Sequence, residues 1–219
     1  SLTGLFMFSI LLSLALPAGT VSASNETTTG TITGTETWAG VHTLTGDVTI
    51  APGAKLIINP GATIEFPNGT HLDVRGSLCA GVSSCGASSN AGPAMRITLR
   101  WSEPLNSSAT GECYGMSAGN QEIWIDDPSC SEGVLMRSSI DLSETGLRYV
   151  TFDSAWGIPQ YVSAVGEFRY GALVLDGASP TLTELSFNQI NTSSVLTTNL
   201  AQPTFNGGEF VVGADASTS

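Results

Sequence analysis

From Val48 to Val74 the apolar residues come in pairs, and the pairs recur every eight residues. Val48, Leu56, Ile64 and Leu72 form one series, and Ile50, Ile58, Phe66 and Val74 the other. Members of a pair are i and i+2, so on a strand both point to one face while the residue between them points away. Thr49, Ile57, Glu65 and Asp73 hold that intervening position and are expected to face solvent. Each gap holds a turn pair: Pro52-Gly53, Pro60-Gly61, Asn68-Gly69 and Arg75-Gly76. Glycine supplies the positive φ that such turns need. Short strands that bury the same face and turn at a fixed interval suit a winding chain better than a set of hairpins. Three strands make one turn of roughly 24 residues, which stacks Val48 against Leu72 and builds an apolar column.

A looser repeat follows. Gly146–Asp153 aligns with Thr181–Asn188, 35 residues later, through the shared pattern L-x-x-[VL]-x-F-[DN]. Asp153 and Asn188 come directly after the last inward aromatic, and we expect them to form corners by bonding their own backbone. Between the repeats, residues from about 80 to 135 are irregular apart from a strand-like MRITLRW at 95–101, and so long a stretch exceeds an ordinary turn. Residues 47–219 are thus expected to form one all-β domain carrying a loop insertion. Residues 24–46 supply a linker and the strands that cap the column.

The stretch GDVTIAPGAKLIINPGATIEFPNGTHLDVRGSL (46–78) and the later GALVLDGASPTLTELSFNQIN (171–191) resemble the coils of right-handed parallel β-helix proteins. These belong to the broad pectate-lyase-like fold group, many of them microbial extracellular or surface proteins. The resemblance implies a right-handed parallel β-helix solenoid. It implies little about activity, because lyases, hydrolases, adhesins and inert stalks share that fold.

The N-terminus changes the picture of where the chain works. Leu5–Leu16 is an apolar run too short to cross a bilayer, which takes about 20 residues. Pro17, Gly19 and the small-residue pattern Val21-Ser22-Ala23 follow. Residues 1–23 therefore read as a secretory signal, with a mature start near Ser24 and an extracellular or cell-surface destination. The chain begins with Ser and lacks a basic leader, so the reading frame is expected to be incomplete. The lack of a closing motif near Ser219 points to truncation there too. A membrane association would need the N-terminal segment to remain uncleaved, or an anchor beyond the C-terminus.

Cysteine usage agrees with export. Cys79, Cys85, Cys113 and Cys130 are even in number, and in a secreted chain that favours disulfides. Three pairings exist; Cys79–Cys85 with Cys113–Cys130 keeps each bridge within one loop-like segment. The sequons at Asn25, Asn68, Asn106 and Asn191 are glycosylation candidates.

Charge excludes some partners. With 19 acidic against 7 basic residues the net charge is −12, which repels nucleic acid and anionic lipid. A polysaccharide lyase would need carboxylates clustered for calcium, and a glycoside hydrolase would need a carboxylate pair. Asp126, Asp127, Asp141, Asp153, Asp176 and Glu184, with Arg148 and Arg169, show no spacing that must bring them together. His42 and His71 are isolated, and His71 alternates with Leu72, so it should be exposed. No catalytic residue, metal site or cofactor is assigned; calcium would enter only with a lyase. Trp101, Trp124, Trp156, Tyr161 and Tyr170 are aromatics in or near loops, where Asp and Asn neighbours could help grip a sugar, although tryptophan also fills solenoid corners. Trp124, Asp126, Asp127, Trp156 and Tyr161 are the candidate ligand-binding residues. The expected function is a non-catalytic stalk, adhesion or glycan-binding module whose partners are cell-surface glycans or surface proteins. The alternative is a carbohydrate-active enzyme, a polysaccharide lyase or glycoside hydrolase.

Overall fold

The computed structural model describes residues 26–102, 132–162, 166–190 and 192–210. These form strands β1 (Gly30–Ile32), β2 (Thr35–Trp38), β3 (Val41–Thr43), β4 (Val48–Ile50), β5 (Lys55–Ile58) and β6 (Thr63–Phe66). Next come β7 (His71–Val74), β8 (Ser77–Ala80), β9 (Ile97–Trp101), β10 (Gly133–Arg137), β11 (Gly146–Arg148) and β12 (Val150–Asp153). The last are β13 (Ile158–Val162), β14 (Glu167–Asp176), β15 (Thr181–Asn188), β16 (Ser193–Thr198) and β17 (Thr204–Phe210). Among the described residues helix is confined to single 3₁₀ turns, such as Ser83–Cys85 and Leu142–Glu144.

The strands fall into two sheets. One runs β1-β4-β7-β10-β14, with β13 and β16 also on β14; the other runs β2-β5-β8-β11-β15-β12-β9-β6-β3, with β17 also on β15. Every pairing between these strands is parallel except the β13–β14 hairpin. Parallel neighbours cannot be joined by tight hairpins, so the chain must leave each sheet and return. Val48 pairs with Leu72, the 24-residue return expected from the repeat. All eight residues of the two apolar series are fully buried. One core cluster extends from Ile32 to Ile190.

Two kinds of corner recur among the described residues. Between β4 and β7 the amides of Ala54, Ala62 and Thr70 bond back to the carbonyls of Ala51, Asn59 and Pro67. The third residue of each turn is glycine at φ +79°, +79° and +75°, the position that type II turns reserve for it. Between β11 and β12 and within β15 ordinary residues take this conformation. Tyr149 and Glu184 lie at φ +51° and +53°, and the Tyr149 amide bonds the Thr183 carbonyl of the next layer. This bend explains the L-x-x-[VL] spacing. Simple alternation would place Leu147 and Val150 on opposite faces. The left-handed residue between them resets the alternation, and both are buried, as are Leu182 and Leu185. The long β15 therefore pairs with β11 before the bend and with β12 after it.

An aromatic file runs along the inside of the second sheet. Phe66 stacks on Trp101 at 4.3 Å, Trp101 neighbours Phe152 at 6.4 Å, and Phe152 stacks on Phe187 at 4.9 Å. Trp101 is thus core and not a loop aromatic. Its indole N–H donates to the Thr70 carbonyl at 2.7 Å, so the ring is buried without stranding its polar atom.

Outward positions depart from simple expectation. Ile57 is only 8 % exposed. It packs with Cys79, Cys85 and Ala87 beneath the 82–87 loop, and the Cys79–Cys85 disulfide fastens that loop to the outside of the sheet. His42, expected to stand alone, is buried; it stacks on Trp38 at 4.3 Å and bonds Glu26 at 2.6 Å. These contacts join the end of β2 to β3 and to the chain just before β1. His71 is half-buried and pairs with Asp47 at 3.1 Å. Within the expected irregular insertion, β9 forms where the sequence suggests a strand, and β10 joins the first sheet between β7 and β14.

Candidate functional site

Several outward carboxylates of the sheets are engaged across neighbouring strands. Asp73 is 4 % exposed where solvent exposure was expected. Its Oδ2 takes Nη2 of Arg75 at 2.7 Å, and its Oδ1 takes Nε of Arg137 at 3.2 Å. Arg137 continues to Asp176 at 3.3 Å, and Asp176 accepts from Thr198 at 3.2 Å and from Asn199. The ladder follows from register: Arg137 lies opposite Asp176, which lies opposite Thr198.

The other sheet carries a similar row. Thr43 donates to Glu65 at 2.8 Å, Arg100 Nε donates to Asp153 at 2.9 Å, and Asn188 donates to the other oxygen of Asp153 at 2.8 Å. Asp153 and Asn188 therefore tie layers together with their side chains instead of bonding their own backbone. The corner is made by the next residues, Ser154 and Gln189, at φ +64° and +52°.

Arg96 braces the bend at Tyr149. It donates to the hydroxyl of Thr151 at 3.0 Å and to the Glu184 carbonyl at 2.8 Å. Its guanidinium and that of Arg148 each lie 5.6 Å from the Tyr149 ring centroid, within cation–π range. Arg148 and Arg169 are thus on different elements, and Asp141 belongs to a local cap: it accepts from the amide and hydroxyl of Ser143. Those bonds, the hydroxyl's foremost, hold its carboxyl below the usual aspartate range.

Sequence reasoning missed Glu132. It is 1 % exposed and accepts the amides of Gly69 at 2.8 Å and Trp156 at 3.1 Å. Burial raises its pKa above the ordinary glutamate range, against the lowering effect of the two amides. Nothing in the local SEG tripeptide signals this; only the register of β10 against β7 brings the Gly69 corner to it.

Trp156 and Tyr161, two of the expected ligand-binding residues, share one excursion of chain. Trp156 is half-buried next to Gly157, whose amide and carbonyl both bond the Glu132 backbone. Tyr161 lies on β13 and is 58 % exposed. The inner end of β13 is anchored by Ile158 against Leu135 and Val174. Tyr170, opposite Pro159 in this hairpin, is half-buried, and desolvation raises its phenol pKa. Trp124, Asp126, Asp127, Cys113, Cys130, Asn25, Asn106, Asn191 and the segment 1–23 lie outside the described residues. Of the sequons, Asn68 is exposed, whereas Thr70 is buried and its hydroxyl bonds the Pro67 carbonyl at 2.7 Å.

Among the described residues no three His, Cys, Asp or Glu side chains group as metal ligands, and no helix is long and apolar enough to cross a membrane. No family model, curated protein or solved structure matches the chain.

Proposed function

We propose that the chain is a secreted or cell-surface module in which the two sheets form the walls of a right-handed parallel β-helix. On this reading it is a non-catalytic stalk that presents loops to glycans or surface proteins. The observation that carries it is the engagement of Asp73, Asp153 and Asp176 in cross-layer ladders with Arg75, Arg100 and Arg137. Carboxylates held this way lend rigidity along the stack. They are poorly placed to bind calcium or to divide acid and base roles, which need convergent free oxygens. The uninterrupted apolar core and its aromatic file suit a load-bearing rod for the same reason: each layer rests on the next.

The presenting surface on this reading is the Trp156–Tyr161 excursion, where aromatic faces stand beside half-buried polar groups. The test is to incubate the purified chain with neutral and uronate polysaccharides. We expect retention on one or more glycans, reduced at least severalfold by Tyr161→Ala, with no new reducing ends or unsaturated sugars. Sugar release that is abolished by Asp153→Asn would replace the stalk with the enzyme.

A further inference from the structure

Glu132 is buried, and no ion pair reaches it among the described residues. Its two carboxylate oxygens hold amides from separate segments, the Gly69 corner between β6 and β7 and the Trp156 loop before β13. The neighbouring Gly133 has φ +149°, and a Cβ there would collide with the Ala172 carbonyl. This close approach to β14 sets Glu132 beneath the loop. The loop backbone is sewn to the same residue, Glu132 N–H to Gly157 O at 3.2 Å and Gly157 N–H to Glu132 O at 2.9 Å.

We propose that Glu132 is a proton-controlled latch for the segment Ala155–Gly157, which docks on the sheet when the carboxyl is neutral and loosens when it is ionised. Undocking exposes the carboxyl to water and returns it to ordinary glutamate behaviour. Docking buries it, and burial disfavours the charged form. The docked state therefore binds the proton more tightly than the undocked one. Docking is most favoured below the ordinary glutamate range. It weakens as pH rises through the raised value of the docked state. A neutral acid still accepts from both amides, through its carbonyl and hydroxyl oxygens.

Other titrating groups on the packed elements are otherwise engaged or lie toward the outside. His71 on β7 pairs with Asp47, Asp153 on β12 with Arg100, and Arg137 on β10 with Asp73 and Asp176. Tyr161 on β13 and Arg169 on β14 are exposed, and Tyr170 is half-exposed. Among the described residues, burial raises the pKa of Glu132 and only the two amides oppose the rise. The latch sets how the Trp156 segment is held, whatever that segment binds.

The test is an NMR titration of the full chain, following the Glu132 carboxyl carbon and the exchange of the Gly69 and Trp156 amides. Corrected for intrinsic exchange, their protection relative to Val174 should fall with rising pH, by at most about tenfold per unit for one proton. Glu132 should titrate above the exposed glutamates. In Glu132→Gln the same ratio should not change with pH. Glu132 titrating in the ordinary range, or a flat ratio through its titration in the native chain, overturns the latch. The native-chain measurement decides the matter even where the variant fails to fold.

Discussion

Asp73 Oδ1 and Arg137 Nε meet at 3.2 Å although 64 residues separate them in the chain. The contact exists because β7 and β10 are parallel neighbours. A carboxylate this buried, with arginines that reach solvent at their far ends, depends on its partners more than they depend on it. Asp73→Ala should lower stability by about 1.5–3 kcal/mol, the range for a hydrogen bond to a charged group. A double-mutant cycle with Arg137→Ala should show a coupling that shrinks little in high salt; an additive cycle would refute the ladder's cohesive role.

The aromatic file predicts a steep size dependence at Phe152, which touches rings on both sides. Phe152→Ala should cost about 3–5 kcal/mol, the usual range for such a truncation in a core. Phe152→Leu should recover a large part of it. Denaturant midpoints measure both, and equal losses would mean that the column can close over the gap.

Removing the Cys79–Cys85 bridge should cost about 2 kcal/mol through the freedom regained by the unfolded chain. The folded state should change as well, because Ile57 lies under the bridged loop. A Cys79→Ser/Cys85→Ser chain is expected to bind a hydrophobic dye more than the native one. Unchanged dye binding would show that the loop covers Ile57 without its staple.

Two carboxyls should give stability opposite pH slopes. Glu132, with its raised pKa, contributes stability that is complete below the ordinary glutamate range and is lost as pH rises through the folded value. Asp141, lowered by the Ser143 bonds, contributes above the ordinary aspartate range, and that contribution is lost as pH falls through its folded value. Midpoints measured across this range should lose the acid-side gain in Glu132→Gln and part of the acid-side loss in Asp141→Ala.

Gly133→Ala should destabilise by more than about 1 kcal/mol, because φ +149° and the Ala172 carbonyl both oppose a Cβ. Gly53→Ala meets no neighbouring atom and keeps only the strain of φ +79°, so its loss should be smaller. Thermal melts of the two variants order them directly.

The inward residues were legible because period and turn chemistry agree: Val48 to Val74 alternate cleanly and each turn carries its glycine. The parallel sheets follow from that regularity. Outward positions were not legible, since exposure there depends on which loop folds back. Ile57 looks like an exposed hydrophobe until the disulfide loop lies over it, and Asp73 looks solvated until Arg137 arrives from another layer. Glu132 carried no local signal for the same reason. The L-x-x-[VL] spacing was visible as a pattern, but its cause was hidden. Tyrosine and glutamate are not residues that announce a left-handed bend.

Returns to the same register differ widely in the chain they consume. Gly30 reaches Val48 in 18 residues, Val48 reaches Leu72 in 24, and Leu72 reaches Val134 in 62. The parallel register holds whatever length of chain lies between the paired strands. A longer connection adds only a slowly growing closure entropy, so it can vary while the paired strands keep their register. The connections can therefore differ in length one at a time without disturbing the pairing, as a rack keeps its shelves level whatever is hung from them.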